Sequence, residues 1–121
     1  MQISLYDKLG TPVAYIDTLD DNTIYLWNGN PVCYLQDGNK IYGFNGQHIG
    51  WFEADIIRDL HGHKVGFTRA TCPMLTQILP IKSLKRLKPI KSIKQIAHLK
   101  PIFKLTLSEE YLQPFLSRGA K

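Results

Sequence analysis

The sequence predicts an all-β protein in which four copies of a β-hairpin surround a pseudo-fourfold axis, followed by a basic arm and a short terminal helix. Three observations lead to this prediction: the first seventy residues align on themselves four times, each copy carries a turn-forming glycine, and an apolar residue recurs at every third position from residue 81 onward. A chain of 121 residues fits one domain. We divide that domain into a hairpin body, residues 1–70, and an arm with its short helix packed on the body, residues 71–121.

Each copy is anchored by a glycine, with an aliphatic residue five positions earlier and a β-branched, a small and an aromatic residue three, four and five positions later. Asn28-Gly29 and Asn45-Gly46 are typical of two-residue type I′ hairpin turns, because Asn and Gly tolerate a positive φ best. Leu9-Gly10 and His61-Gly62 are weaker versions of the same signal. Each copy is therefore predicted to be a hairpin that turns at its anchor glycine, Gly10, Gly29, Gly46 or Gly62.

Both faces of each hairpin are predicted to be apolar. A two-residue turn at Asn28-Gly29 makes cross-strand partners share a face. One face then carries Tyr25, Trp27, Val32 and Tyr34, and the other carries Ile24, Leu26, Cys33 and Leu35. The aromatic residues in these fixed columns are expected to form core and cross-strand pairs, and each hairpin needs cover on two sides because an isolated hairpin is marginal in water.

The small residue that follows each anchor by four positions indicates close packing. A column without bulk, flanked by β-branched and aromatic residues, predicts a place where the four strands approach one another around the axis. A cysteine in this column is expected to be a buried, inert thiol. The members of the column are Ala14, Cys33, Gly50 and Gly66.

These repeats resemble a known family. The copies SLYDKLGTPVAYI, TIYLWNGNPVCYL, KIYGFNGQHIGWF and IIRDLHGHKVGFT, followed by a lysine- and proline-punctuated tract and a short acidic and aromatic tail, are similar to the four-fold beta flower family of small bacterial proteins, from Ile3 to about Leu116. The resemblance implies four hairpins arranged as petals and a bacterial origin. It carries over no functional residue, because the family has no assigned activity. The departures are Arg58, where the other copies have Tyr, and Leu9, which precedes its glycine in place of Asn or His.

The tract from Ile81 to Ile102 has an apolar residue at every third position, lysine after most of them, and proline only in the third phase. On an α-helix this stripe would slip by about 60° per triplet, whereas polyproline II has three residues per turn and would keep it on one edge. An extended tract would reach about 65 Å beside a body of about 28 Å, so it must bend, wrap the body or reach a neighbouring subunit. Two helical pieces broken at Pro89 remain the alternative.

A short terminal helix is predicted by the tail. Ser108 supplies a capping residue, and Glu109 and Glu110 supply an acidic first turn. Pro114 is expected to limit the length of this helix.

The positive charge lies in one segment of the chain. Residues 1–70 hold five basic and eight acidic residues, a balance of −3, whereas residues 71–108 hold eight basic residues and no acidic one. Two interpretations follow: an anion-binding tract with salt-dependent affinity, or a half-buried strip whose lysines reach solvent over the acidic body. Regular apolar spacing favours the half-buried strip. The candidate anion-binding residues are Lys82, Lys85, Arg86, Lys88, Lys91, Lys94, Lys100 and Lys104.

The function predicted from these features is a non-enzymatic interaction or self-association domain, with another protein or a second copy as the partner. Nonspecific binding of nucleic acid or of an anionic surface through residues 82–104 is the alternative. We expect no catalytic, cofactor or metal site, since no paired carboxylates or phosphate loop appear and His48, His61 and His63 are more typical of ordinary turn residues. Without a signal region or a long apolar run, we expect a cytoplasmic protein with no membrane span.

Overall fold

The computed structural model describes residues 1–121 as a closed barrel of eight antiparallel strands that follow one another in sequence order. Consecutive strands pair as four hairpins, and β8 closes the barrel against β1 through Tyr6 and Phe67. The predicted fold class is therefore confirmed. The strands are β1 (Gln2–Tyr6), β2 (Pro12–Asp17), β3 (Thr23–Leu26), β4 (Pro31–Gln36), β5 (Lys40–Gly43), β6 (His48–Glu53), β7 (Ile56–Arg58) and β8 (Lys64–Phe67).

The hairpin loops differ from the two-residue type I′ turns that the sequence predicts. In the second hairpin Gly29 N–H donates to Leu26 O and Leu26 N–H donates to Asn30 O, which encloses three loop residues, and Gly29 alone among them has a positive φ, 94°. This is a tight turn followed by a left-handed glycine, the usual three-residue hairpin loop. The same two bonds recur at the other three anchors. The type I′ prediction is wrong, although the position of each turn is right.

An aspartate or asparagine stabilises each of these loops. Asn28 Oδ1 accepts the N–H of Asn30 at 3.0 Å, two residues later. In the first hairpin Asp7 Oδ1 accepts the N–H groups of Leu9 and Thr11 from the first position of the turn. Asp59 does the same in the fourth hairpin. The first and fourth loops therefore have as much side-chain hydrogen bonding as the other two. In them an Asp three residues before the glycine accepts the bonds that an Asn immediately before the glycine accepts elsewhere.

A register shift follows the aliphatic residue of every hairpin, between Ile24 and Tyr25 in the second and at the equivalent step in the other three. The shift turns the β-branched column inward, so Val32 lies in the barrel core with Ile24 and Cys33. The prediction that Val32 shares the outer face with Tyr25 and Tyr34 is wrong for this reason. The outer face carries two clusters of aromatic residues, Tyr15, Tyr25 and Trp27 in one, and Tyr34, Tyr42 and Phe44 in the other.

The C-terminal helix fills the barrel. Helix α1 (Leu112–Ser117), followed by a 3-10 turn at Arg118–Ala120, inserts Leu112, Phe115 and Leu116 among the aliphatic residues of the strands, all three fully buried. The small column lines this insertion: a Cβ on Gly66 would lie 2.8 Å from Leu112, and one on Gly50 would lie 2.9 Å from the Phe115 ring. A Cβ on Gly50 would also lie 2.2 Å from the carbonyl oxygen of Arg58 on the neighbouring strand. The column therefore makes room for the helix as well as for the close approach of strands that the sequence predicts.

The helix begins later than predicted. Its N-cap is Tyr111, without a side-chain capping bond, and no acidic residue lies in its first turn. Ser108 Oγ instead accepts the N–H of Glu110 in the turn before the helix. Pro114 is the third helical residue, a position where the missing N–H has no intrahelical partner to lose, so it does not limit the helix.

The arm contains no helix between residues 71 and 111, and a single parallel bridge joins Lys64 to Leu107. The broken-helix alternative is therefore wrong, and the chain wraps the body as the extended alternative requires.

No helix in the structure approaches the length and apolarity that a bilayer-spanning segment needs.

Candidate interaction surface

The arm contacts the barrel in steps of nine residues, which is three triplets for each hairpin. One arm N–H donates to the carbonyl oxygen of each anchor glycine at 2.9–3.1 Å: Gln77 to Gly10, Arg86 to Gly29, Gln95 to Gly46 and Lys104 to Gly62. Ser83 and Ser92, also nine residues apart, donate to Trp27 O and Phe44 O. The repeat of the arm therefore matches the repeat of the body, and the arm passes the four hairpins in order.

The anchor glycines admit the arm as well as making the turns. A Cβ on Gly46, which has a φ of 87°, would lie 2.2 Å from the carbonyl oxygen of Ile93. The same close approach occurs at Gly10 and Gly29, and a slightly longer one of 2.7 Å occurs at Gly62. Any side chain at these positions would separate the arm from the barrel.

The lysine phase of the arm points toward the acidic body. Lys88 and Lys91 pair with Asp20 and Asp21 at 2.7 Å, and Lys85 pairs with Asp17 and Asp20. Further along the arm, Lys100 pairs with Glu53, whose carboxylate also accepts a bond from Asn39. The acidic connectors between hairpins therefore hold the arm at its basic residues.

These contacts shift the carboxyl groups in the direction expected for paired charges. The hydrogen bond from Lys88, supported by one from Tyr25, lowers the pKa of Asp20 from 3.8 to about 2. Hydrogen bonds from Lys85 and Lys91 likewise lower the pKa values of Asp17 and Asp21. Each pair is partly exposed, so each is expected to contribute only about 0.2–1 kcal/mol.

The same lysines cover the aromatic outer face of the barrel. Lys91 Nζ lies 4.0 Å from the Tyr34 ring centroid, and Lys82 and Lys85 lie 4.8 and 4.9 Å from the rings of Tyr15 and Tyr25. Ammonium groups over aromatic faces at these distances are favourable cation–π contacts. Each tyrosine ring is thereby buried although it lies on the outside of the sheet.

The fourth hairpin meets the arm through an arginine where the others have tyrosine. The Arg58 guanidinium is nearly buried, donates to Gly62 O and Lys104 O at 2.9 and 2.5 Å, and stacks on Phe103 with 4.5 Å between guanidinium carbon and ring centroid. Pro101 leaves this repeat without the second backbone donor that Ser83 and Ser92 supply in their repeats. Arg58 therefore bonds the arm in a repeat where Pro101 has no N–H to donate.

The apolar phase of the arm points away from the protein. Eleven Leu and Ile side chains at three-residue spacing are 87–97% exposed, and together we call them the apolar stripe. The expectation of a half-buried apolar strip is wrong: the aromatic and acidic surface of the body attracts the lysine phase, and the opposite edge of the arm is left in solvent. The stripe consists of Leu75, Ile78, Ile81, Leu84, Leu87, Ile90, Ile93, Ile96, Leu99, Ile102 and Leu105.

The candidate anion-binding residues are consequently divided. Lys85, Lys88, Lys91 and Lys100 are paired with carboxylates, and Lys82 donates to Gln2. Lys94, Arg86 and Lys104 form no side-chain hydrogen bond or ion pair, and Lys94 lies 6.0 Å from the Tyr34 ring. The structure does not assemble the eight into one cationic surface.

The buried cysteine and the histidines also make contacts within the fold. Cys33 is buried, its Sγ donates to Leu116 O at 3.3 Å, and burial raises the pKa of its thiol. His63 Nδ1 bonds Thr106 Oγ1 at the end of the arm, and His61 is exposed at a loop. His48 is buried and contacts His98. No motif pointed to His98, whose only regularity in the sequence is its place in the third phase of the tract.

The fold and the arm define a class of small all-β repeat protein, a four-hairpin barrel encircled by its own C-terminal tract. The chain belongs to the 4-fold beta flower protein family, whose sequence model matches residues 3–116. The resemblance seen in the repeats is thereby confirmed, and the family has no established function. Searches among curated proteins and among solved structures find no match to the chain.

Proposed function

We propose that the protein is a non-enzymatic self-association module in which the apolar stripe of one copy packs against the stripe of a second copy. The observation that carries the proposal is the exposure of eleven aliphatic side chains in one continuous row on an ordered arm. Single exposed leucines are normal on protein surfaces, but contiguous apolar patches above roughly 300–600 Å² are rare on monomers and mark interaction surfaces.

The area of the stripe suits a protein interface. Burying a Leu or Ile side chain stabilises by about 1.5–3 kcal/mol at about 25 cal/mol per Å², which corresponds to roughly 60–120 Å² for each residue. Eleven residues then expose roughly 700–1,300 Å², and a standard interface buries about 800 Å² on each partner. One copy therefore carries enough apolar surface for a stable contact.

The charge and spacing of the arm favour a second copy as the occupant. Lys85, Lys88, Lys91 and Lys100, half of the eight basic residues of the arm, are neutralised by carboxylates of their own body, which reduces the repulsion between two arms. A second copy also presents aliphatic residues at the same three-residue interval, which lets two rows interlock without a complementary charge. A partner of opposite charge would have to displace these intramolecular pairs.

The same ion pairs weigh against the alternative of nonspecific nucleic-acid or anionic-surface binding. A lysine that already bonds a carboxylate and covers a tyrosine must lose both contacts before it meets a phosphate. Lys82, Arg86, Lys94 and Lys104 form no ion pair, and four such groups are fewer than the six to ten phosphate contacts of a strongly salt-dependent binder.

Sedimentation velocity tests the proposal. Wild-type protein is expected to sediment as a dimer or larger assembly, and a variant with Leu84→Ser, Leu87→Ser, Ile90→Ser and Ile93→Ser is expected to sediment as a monomer, because it removes one continuous part of the stripe. Far-UV circular dichroism should be the same for both, since all four side chains are more than nine-tenths exposed.

Arg86→Ser with Lys104→Ser is the matched control on the same arm. It is expected to keep the wild-type assembly and to lower any retention on DNA at low salt. A wild-type protein that stays monomeric up to about 1 mM would overturn self-association. Strong DNA retention that this control abolishes would favour the alternative.

A further inference from the structure

The third repeat of the arm is attached to the barrel differently from the other three. Two residues after the anchor glycines stand Pro12, Pro31, His48 and Lys64. His48 N–H donates to Gln95 Oε1 at 2.6 Å, and His48 Nδ1 accepts the backbone N–H of His98 at 2.9 Å. The hydroxyl of Tyr42 adds a bond to Gln95 O at 2.9 Å. One of the bonds that hold the arm here therefore ends on a ring nitrogen that titrates.

The hydrogen bonds determine which nitrogen of His48 carries the proton. Since Nδ1 accepts a backbone N–H, it must present its lone pair. The proton therefore lies on Nε2, which is 3.0 Å from Gly50 O and donates to it. The hydrogen bond from His98 N–H to His48 Nδ1 exists only while the imidazole of His48 is neutral.

Protonation of His48 would place two hydrogen-bond donors face to face. A proton on His48 Nδ1 would face the N–H of His98, so one of the two groups must move. The ring nitrogen Nδ1 of His98 lies 3.3 Å from the same atom, but it can accept the new proton only after the backbone N–H of His98 has left that lone pair. Protonation of the pair therefore breaks the backbone contact in either arrangement.

The neighbouring groups His98 and Lys40 both oppose a positive charge on the His48 ring. Its ring packs against Tyr42 of β5 and the edge of Trp51 of β6, at centroid distances of 5.2 and 4.8 Å. Burial, together with the nearby His98 and Lys40, lowers the pKa of His48 below its ordinary 6.5 despite the bond to Gly50 O. The cavity beside it is also lined by Asp59, His61, Glu110 and Arg118, of which Glu110 and Arg118 pair with each other at 2.7 Å.

We propose that the His48–His98 contact is a pH-sensitive latch that holds the part of the third arm repeat around His98 while His48 is neutral and releases that part on protonation, while the bonds of Ser92 and Gln95 to the barrel remain. The proposal rests on the self-association function, because Ile96 and Leu99 of the apolar stripe are carried by this part. Release would disorder that part of the stripe and weaken assembly in mildly acidic solution. The ion pairs of Lys85, Lys88 and Lys91 hold the second repeat and the start of the third, and they persist in this pH range because their carboxyl groups titrate lower.

Amide hydrogen exchange of the full chain, measured by NMR at about pH 7.5 and about pH 5, tests the latch. Protection factors are compared because they divide out the intrinsic pH dependence of exchange. We expect the protection of the His98 amide to fall by about tenfold or more at the lower pH. The amides of Gln77 and Arg86, in repeats without histidine, are expected to keep their protection and serve as internal controls.

Two variants separate the latch from other histidines. His48→Gln supplies a side-chain oxygen that accepts an N–H and does not titrate, so the pH response of the His98 amide should disappear. His63→Ala is the matched control, since a hydroxyl such as that of Thr106 can accept or donate and its bond to His63 survives protonation. If His48→Gln fails to fold, the wild-type comparison of His98 with Arg86 decides the question alone.

A His98 amide whose protection does not change with pH, or changes no more than that of Arg86, overturns the latch. Sedimentation at both pH values separates this result from failure of the proposed function. A monomer at both pH values with a pH-dependent His98 amide supports the latch and contradicts self-association. Assembly at both pH values with an unresponsive amide contradicts only the latch.

Discussion

The barrel and the arm are both repeats rich in aliphatic residues, yet they place those residues on opposite sides of the boundary with water. In the barrel, Ile24, Ile41 and Ile57 are fully buried around α1, whereas on the arm Ile90, Ile93 and Ile96 are at least 94% exposed. The difference arises from what each segment meets. The strands enclose an apolar helix, but the arm lies on a surface of tyrosines and carboxylates that binds lysine better than isoleucine.

The largest expected effect is the difference in unfolding free energy between truncating a buried and truncating an exposed apolar residue. Phe115→Ala is expected to lower the free energy of unfolding by about 3–5 kcal/mol, because it leaves a cavity in the centre of the barrel. Leu84→Ala is expected to change it by less than about 0.5 kcal/mol, because Leu84 is 93% exposed. Urea unfolding followed by circular dichroism measures both, at a dilution where the protein is monomeric. Equal losses would mean that the stripe packs within its own chain, contrary to the orientation of the arm.

A second prediction concerns how much the contact between arm and barrel at Gly46 contributes to stability. Gly46→Ala is expected to lose about 1–2 kcal/mol from its positive φ of 87°, and about 1–3 kcal/mol more from the clash with Ile93 O. Gly38→Ala is the matched control: its φ is 80°, but nothing lies within 4 Å of its Cβ position. Thermal unfolding of the two variants gives the difference. If both lose the same amount, the arm contributes nothing to stability at this anchor.

The sequence was sufficient for the repeat, the position of each turn and the class of fold. Those features depend on local chemistry: a glycine is needed where φ is positive, and alternating apolar residues require cover on both faces. The loop type was not predictable from the dipeptide alone, because the Asn-Gly loops have the same three-residue form as the loops in which Asp7 and Asp59 accept the hydrogen bonds. Local pattern thus predicts where the chain turns better than how it turns.

The orientation of the arm could not be read from its own period. A three-residue period fixes which side chains share an edge, but it does not say which edge faces the body. The missing information lay in the partner surface: Tyr15, Tyr25 and Tyr34 on the outer face, and Asp17 and Asp20 in the connector. The charge asymmetry between the two segments was the available signal, and it predicted the ion pairs better than the apolar spacing predicted burial.

The small column shows the same limit. Ala14, Cys33, Gly50 and Gly66 correctly indicated a place that tolerates no bulk, but the helix that packs there together with the neighbouring strands came from the far end of the chain. Nothing in the first seventy residues specifies that Phe115 and Leu112 fill the barrel. Contacts of such long sequence separation follow from the three-dimensional closure of the sheet, which pattern reasoning does not supply.

The smallest expected effect concerns a single ion pair between body and arm. Asp20→Asn removes the carboxylate that binds Lys85 and Lys88 and is expected to lower the free energy of unfolding by about 0.2–1 kcal/mol near neutral pH. The pKa of Asp20 is about 2 in the folded protein and 3.8 ordinarily, so its stabilising contribution is present above about pH 4 and is lost as pH falls toward 2. The unfolding free energies of wild type and variant should therefore converge over that interval, when compared by urea unfolding at a series of pH values.

Asp55→Asn is the control for this pair, because Asp55 is an exposed carboxylate of the same body whose side chain makes no ion pair or hydrogen bond. It removes the same charge and should change the unfolding free energy little at any of these pH values. The decisive quantity is the pH range in which the Asp20 variant and wild type converge. Convergence between pH 4 and 2 places the loss on the carboxylate that holds the arm against the barrel, whereas convergence near pH 6 would contradict this assignment, because Asp20 is fully ionised there.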